Sequence, residues 1–179
     1  MKTKIAKAAL AGTAMTAAIV MGAGTASAAT VGTAGTAGTG TPTADYQVCG
    51  TAYVGADTHV GAPPATAKPV SGVTVTGQLY NSGGSAVGSA FTATTASDGT
   101  WCLQGDSTMS STVTGGGRVG LTFSPATVSD SAGTYTGKMS GGTGAGTDAS
   151  INGGEFFKHA YPAPSLLAKS AWKVNVVYS

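Results

Sequence analysis

From Gly72 to Tyr80 the chain alternates, with Val73, Val75, Gly77 and Leu79 on one side and Thr74, Thr76 and Gln78 on the other. A two-residue period is that of a strand with one face against a core and one face in water, because successive side chains of an extended chain point to opposite faces. The same period recurs in Tyr46 to Val54 (Val48, Ala52 and Val54 in phase), Thr100 to Gln104 (Trp101, Leu103) and Arg118 to Ser124 (Val119, Leu121, Phe123). It returns in the last segment, where Trp172, Val174, Val176 and Tyr178 oppose Lys173 and Asn175. Val87 to Thr95 is read as a further strand. Asn81-Ser82-Gly83-Gly84 and Ser97-Asp98-Gly99 lie between such segments as turn formers. No capped stretch carries a 3.6-residue apolar period, and abundant Thr, Val and Gly disfavour long helices. Only Ser165 to Lys169 is expected to form a helical turn. The pattern predicts an all-β sandwich of about seven strands, Ig-like or transthyretin-like, with Val73, Val75, Leu79, Trp101, Leu103, Val119, Leu121, Phe123, Val174 and Val176 in its core.

The N-terminus leads us to expect export from the cell. Lys2, Lys4 and Lys7 form a basic start, Ala8 to Gly24 is uncharged and mainly small or apolar, and Ala26-Ser27-Ala28 is a small-x-small cleavage site. Residues 1–28 therefore read as a signal peptide cut near Ala28-Ala29, and the product as secreted, extracellular or associated with the cell envelope. In an oxidising compartment the two cysteines, Cys49 and Cys102, are expected to form one disulfide. The bridge closes a loop of about fifty residues, which chain entropy values at ~4 kcal/mol. Parity agrees: if Val48 and Ala52 point inward and Trp101 and Leu103 do too, both cysteines point to the non-core face.

Without Lys2, Lys4 and Lys7, six basic residues face seven acidic ones, and Arg118 is the sole arginine. Such a chain cannot supply the phosphate contacts that drive nucleic-acid binding, so no nucleic acid is expected as partner. Ala29 to Ala44 has no charge, no aromatic and no large aliphatic beyond Val31; it reads as a Thr/Ala/Gly-rich linker, a flexible tether open to O-linked sugars. The β-sandwich domain is then 45–179. Gly137 to Gly154 reads as a long flexible excursion between strands.

Three stretches carry a resemblance: Lys68-Pro69-Val70-Ser71-Gly72-Val73-Thr74-Val75-Thr76, then Tyr80-Asn81-Ser82-Gly83-Gly84, then Thr94-Thr95-Ala96-Ser97-Asp98-Gly99-Thr100-Trp101-Cys102-Leu103. Together they resemble the repeat P-x-x-G-V-x-V, turn, T-T-x-x-D-G-x-Y/W of secreted bacterial transthyretin-like β-sandwich modules, namely collagen-adhesin B-type, serine-aspartate-repeat B-type and carboxypeptidase-regulatory-like domains. Val48-Cys49-Gly50-Thr51-Ala52 fits the opening strand. The likeness spans Tyr46 to about Leu103 and implies a fold shared by adhesins, stalks and enzyme appendages. Two family features are missing. Gly55 to Gly61 offers only Asp57 where calcium-binding members carry several oxygen ligands. Tyr46 to Val54 contains no Lys for an isopeptide bond to Asn175 beside Glu155, and Lys68 falls in an apparent loop.

Catalytic equipment is sparse. Glu155, His159 and His59 are the one set able to serve a metal or acid–base site, but in an extended segment Glu155 and His159 lie about 13 Å apart, and zinc needs further ligands. Gly115 to Gly120 matches GxGxxG, yet a strand follows where a nucleotide fold needs a helix. No GxSxG surrounds a serine. No cofactor, metal or catalytic residue is expected. Tyr46, Tyr53 and Tyr80 are the candidate binding surface if exposed together. The expected function is a non-catalytic binding or structural module of the cell envelope or extracellular space, with a cell-surface protein or glycan as partner. The alternatives are a small secreted hydrolase or metal-dependent enzyme, and a membrane-inserting β-barrel or pore subunit suggested by the last strand. Membrane insertion is not expected, because the other strands are too short to cross a bilayer.

Overall fold

A computed structural model describes residues 28–58, 61–140, 148–152, 170–171 and 173–179. Residues 1–27, the candidates His59, Glu155 and His159, Trp172 and the expected Ser165–Lys169 turn lie outside the described residues.

The strands are β1 (Thr30–Val31), β2 (Gln47–Val54), β3 (Lys68–Ser71), β4 (Thr74–Tyr80), β5 (Ala86–Thr94), β6 (Thr100–Gln104), β7 (Arg118–Ser124), β8 (Thr127–Asp130), β9 (Gly133–Ser140), β10 (Asp148–Asn152) and β11 (Asn175–Tyr178), with one helix, α1 (Ser107–Thr114). They form two sheets. The smaller runs β10-β7-β4-β5; the larger runs β1-β3-β2-β11-β9-β8, with β6 also paired to β2. The all-β sandwich expected from the alternation is present, with eleven strands among the described residues rather than about seven.

β2 is the pivot. Gln47 to Thr51 pair with β6, Tyr53 and Val54 pair with β3, and the opposite edge carries β11 in parallel. The core lies between the sheets. Val75, Leu79, Val119, Leu121 and Phe123 meet Val48, Trp101, Leu103, Val176 and Tyr178, and every core position expected from the alternation is buried. Each such side chain contributes roughly 1.5–3 kcal/mol by leaving water. Phe123 and Tyr178 cross from sheet to sheet edge-to-face, with ring centroids 6.0 Å apart. The larger sheet curls until β8 lies beside β1 and Lys68 reaches Asp130.

Local chemistry sets the turns. Asn81 Oδ1 accepts from Ser85 N–H, and Gly84 takes φ +82°. Asp98 Oδ1 accepts from the N–H and hydroxyl of Thr100, while Gly99 at φ +80° passes so close to Ala52 O that a side chain there would collide. α1 was not expected. Asp106 caps it by accepting from Thr108 N–H at 2.8 Å, and Met109 and Val113, one turn apart, anchor it in the core. Two apolar residues among Ser and Thr are too few to show a helical period. The glycines matching GxGxxG follow this helix, with Gly115 as its C-cap, and lead into β7.

Two expectations change. Ala29–Ala44 is not a free tether but a strap lying across the domain: the N–H groups of Gly32, Gly35 and Gly38 donate to Pro69 O, Ala67 O and Asp98 O at 2.8–2.9 Å. The sequence here is a Thr-x-Gly triplet. One residue in three faces the domain and must lack a side chain, since a Cβ on Gly32 would sit 2.9 Å from Pro69 Cγ. Thr30, Thr33, Thr36 and Thr39 consequently face solvent. The excursion from Gly137 is the second change, because Gly137 to Ser140 complete β9 and Asp148–Asn152 form β10, while 141–147 lie outside the described residues.

Candidate functional site

Cys49 and Cys102 are register partners across β2 and β6 and are joined by a disulfide. Cys49 N–H donates to Ala171 O and Cys49 O accepts from Val174 N–H, so both groups turn away from β6. The two cysteines are therefore a non-hydrogen-bonded pair, the position where antiparallel strands approach most closely, and their Cα atoms are 4.1 Å apart. They face away from the core, as parity requires. The strap covers them, with Thr41 O 3.7 Å from Cys102 Sγ.

The three tyrosines do not form one surface. Tyr53 is fully buried, in a second apolar cluster with Ala67 and Val177 on the outer face of the larger sheet, and its hydroxyl bonds Ala56 O and Thr58. This corrects the expectation that it lies outside. The cause is the strap, whose Ala37 packs on that cluster. Tyr46 precedes β2 at the opposite end, about 23 Å along the strand, and is half-buried at φ 63°. Tyr80 ends β4 in the other sheet under the Arg118 guanidinium, 4.8 Å from the ring centroid.

Other singled-out groups are engaged structurally. Asp57 accepts from the Ser140 hydroxyl at 2.6 Å and pairs with Lys138 at 3.2 Å. Asn175 is buried; its Oδ1 accepts from Thr51 N–H and its Nδ2 donates to Gly61 O. Lys68 lies in β3 rather than in a loop and binds Asp130. Among the described residues no three His, Cys, Asp or Glu side chains gather as metal ligands.

A concave seam lies where the sandwich opens between β5 and β6. Two cavities lie along it. One, about 350 Å³, has Leu79, Val87 and Phe91 on one wall and Gln104, Gly105 and Asp106 on the other. The second, about 360 Å³, lies between Thr94, Asp98 and Thr100 with the strap at Thr39–Thr41 as its rim. Trp101 lines its inner wall, 3% exposed, with an indole Nε1 that has no acceptor among the described residues.

Among the described residues β5 is an edge strand, hydrogen-bonded only to β4, and it contains neither charge nor proline. Thr95 N–H donates to Val73 O. By alternation Ala93 and Phe91 turn their main chain toward β4, leaving the N–H and C=O of Thr92 and Thr94 on the free edge. On the opposite lip the main chain of Cys102 faces outward by the same rule. At Gly88 (φ +66°) the strand bulges, and Gln78 Nε2 fills the gap by donating to Leu79 O and Val87 O.

Among the described residues the charged side chains at the seam are carboxylates. Asp98 stands at one end, Asp106 and Asp45 at the other, and none of the three forms an ion pair among the described residues. Hydrogen bonds from the Thr108 hydroxyl and N–H hold the Asp106 carboxyl below the usual carboxylate range, so it is anionic at neutral pH. The two ion pairs lie on β3, β8 and β9 and the β2–β3 connection.

Comparison with protein-family models, with curated proteins and with solved structures gave no match. The seam was not found by sequence reasoning, although one signal was available: Ala86 to Thr94 is a long run free of Lys, Glu and Pro, which protected edge strands normally carry.

Proposed function

We propose that the chain is a secreted, non-catalytic β-sandwich that binds a protein or glycan of the cell envelope or extracellular space, in the manner of the transthyretin-like modules it resembles. The observation that carries this reading is the open, uncharged β5 edge beside two cavities, on a frame stiffened by the Cys49–Cys102 bridge. A disulfide-bonded frame with an open edge suits recognition, because pre-organised groups lose little entropy on binding. The signal-like N-terminus and the bridge are consistent with an oxidising compartment.

Cosedimentation of the exported, oxidised protein with envelopes from the producing cells tests this. Saturable binding without loss of envelope polymer is expected. Hydrolysis of envelope polysaccharide or peptide that a point substitution abolishes would overturn it.

A further inference from the structure

Resting on that binding reading, we infer that the β5–β6 seam is a docking site for an extended peptide strand bearing basic residues, which adds to the free edge of β5. Three observations converge on this occupant. The outward N–H and C=O of Thr92 and Thr94 repeat at the two-residue spacing that an incoming strand satisfies with its own main chain. A strand alternates its side chains, so every second one would point inward. The 350 Å³ cavity offers such side chains an apolar wall of Leu79, Val87 and Phe91 facing a polar wall of Gln104 and Asp106. The carboxylates of Asp98 and Asp106 stand at the two ends of β6 and form no ion pair among the described residues, so basic side chains of an occupant would complement them.

A glycan fits less well. It offers no row of donors and acceptors at strand spacing, and hydroxyls turned to the wall of Leu79, Val87 and Phe91 would be left unpaired. A second copy of this chain pairing β5 to β5 would bring carboxylates toward carboxylates, an unfavourable arrangement.

The test is a titration of the exported, oxidised protein with two short synthetic peptides of alternating Val and Thr, one flanked by Lys and one by Glu. Fluorescence anisotropy of a labelled peptide reports binding. The Lys-flanked peptide is expected to bind about tenfold or more tightly than its Glu-flanked twin. Thr92→Pro, which an edge position tolerates because its N–H points to solvent, is expected to abolish binding of the Lys-flanked peptide. The double variant Asp98→Asn, Asp106→Asn keeps a capping side chain on α1 and is expected to erase the charge preference. A far-ultraviolet spectrum and a melting curve identify any variant that fails to fold, and the double variant then carries the test.

The inference is overturned if neither peptide binds, if both bind equally, or if Thr92→Pro leaves binding unchanged. Should the protein still cosediment with envelopes in those cases, the binding reading stands and only the seam falls. It is also overturned if a glycan competes for the seam, or if the protein self-associates and Thr92→Pro makes it monomeric.

Discussion

Lys68 Nζ lies 2.7 Å from Asp130 Oδ2, joining β3 near one end of the larger sheet to β8 at the other. The hydrogen bond from Lys68 holds Asp130 down to about 2, helped by Ala132 N–H and the Tyr135 hydroxyl, and the same contact raises Lys68. A carboxyl whose folded value is depressed contributes stability above its unfolded value near 4 and loses it as pH falls toward 2. The raised lysine contributes below its unfolded value near 10.5 and loses that contribution as pH rises further. Melting curves should therefore show Asp130→Asn less stable than the parent at neutral pH and converging with it near pH 2. Parallel curves down to pH 2 would show that the pair does not hold the sheet ends.

Removing the bridge with Cys49→Ala and Cys102→Ala is expected to lower unfolding free energy by roughly 4 kcal/mol, since the loop spans 53 residues. Urea unfolding measures it. In the folded protein the strap shields the bridge, so mild reductant should open it slowly until denaturant is added.

Gly40 passes so close to the main chain of Gly50 that any side chain would strike Gly50 O. Gly40→Val is expected to lift the strap while leaving the two sheets folded, exposing residues 29–44 to protease and the Tyr53–Val177 cluster to solvent. Limited proteolysis followed by mass spectrometry reads this directly.

Tyr53→Phe removes only the hydroxyl bonded to Ala56 O and Thr58. A loss of about 1 kcal/mol is expected, with envelope binding unchanged, because this ring lies under the strap rather than on a binding face. Leu103→Ala in the core should cost roughly 2–5 kcal/mol.

The strands that could be read from sequence were those with one wet face. Thr74, Thr76 and Gln78 of β4 are half-exposed while Val75, Gly77 and Leu79 are buried, so the alternation is visible. β11 is buried on both faces, and Asn175 and Val177 look solvent-facing only until the strap and the β2–β3 connection are in place. β8 and β9 were missed because Val128 and Met139 are their main apolar anchors, too few to set a period. The strap was legible in a different register. Its glycines recur every third residue, and reading them as close-approach positions rather than as looseness would have placed the segment on the domain. The seam depends on which strand ends a sheet, a property of pairing order that no single strand records.

Amide hydrogen exchange resolved at Thr92 and Thr94 tests the central claim most directly. In the free protein their outward N–H groups should exchange quickly, unlike those of Phe91 and Ala93, which face β4. On saturation with the Lys-flanked peptide both should slow by about tenfold or more while the strap glycines remain unchanged. Unaltered exchange at Thr92 and Thr94 in the bound protein, or protection confined to the Tyr46 or Tyr80 surroundings, would contradict the assignment of the seam as the binding site.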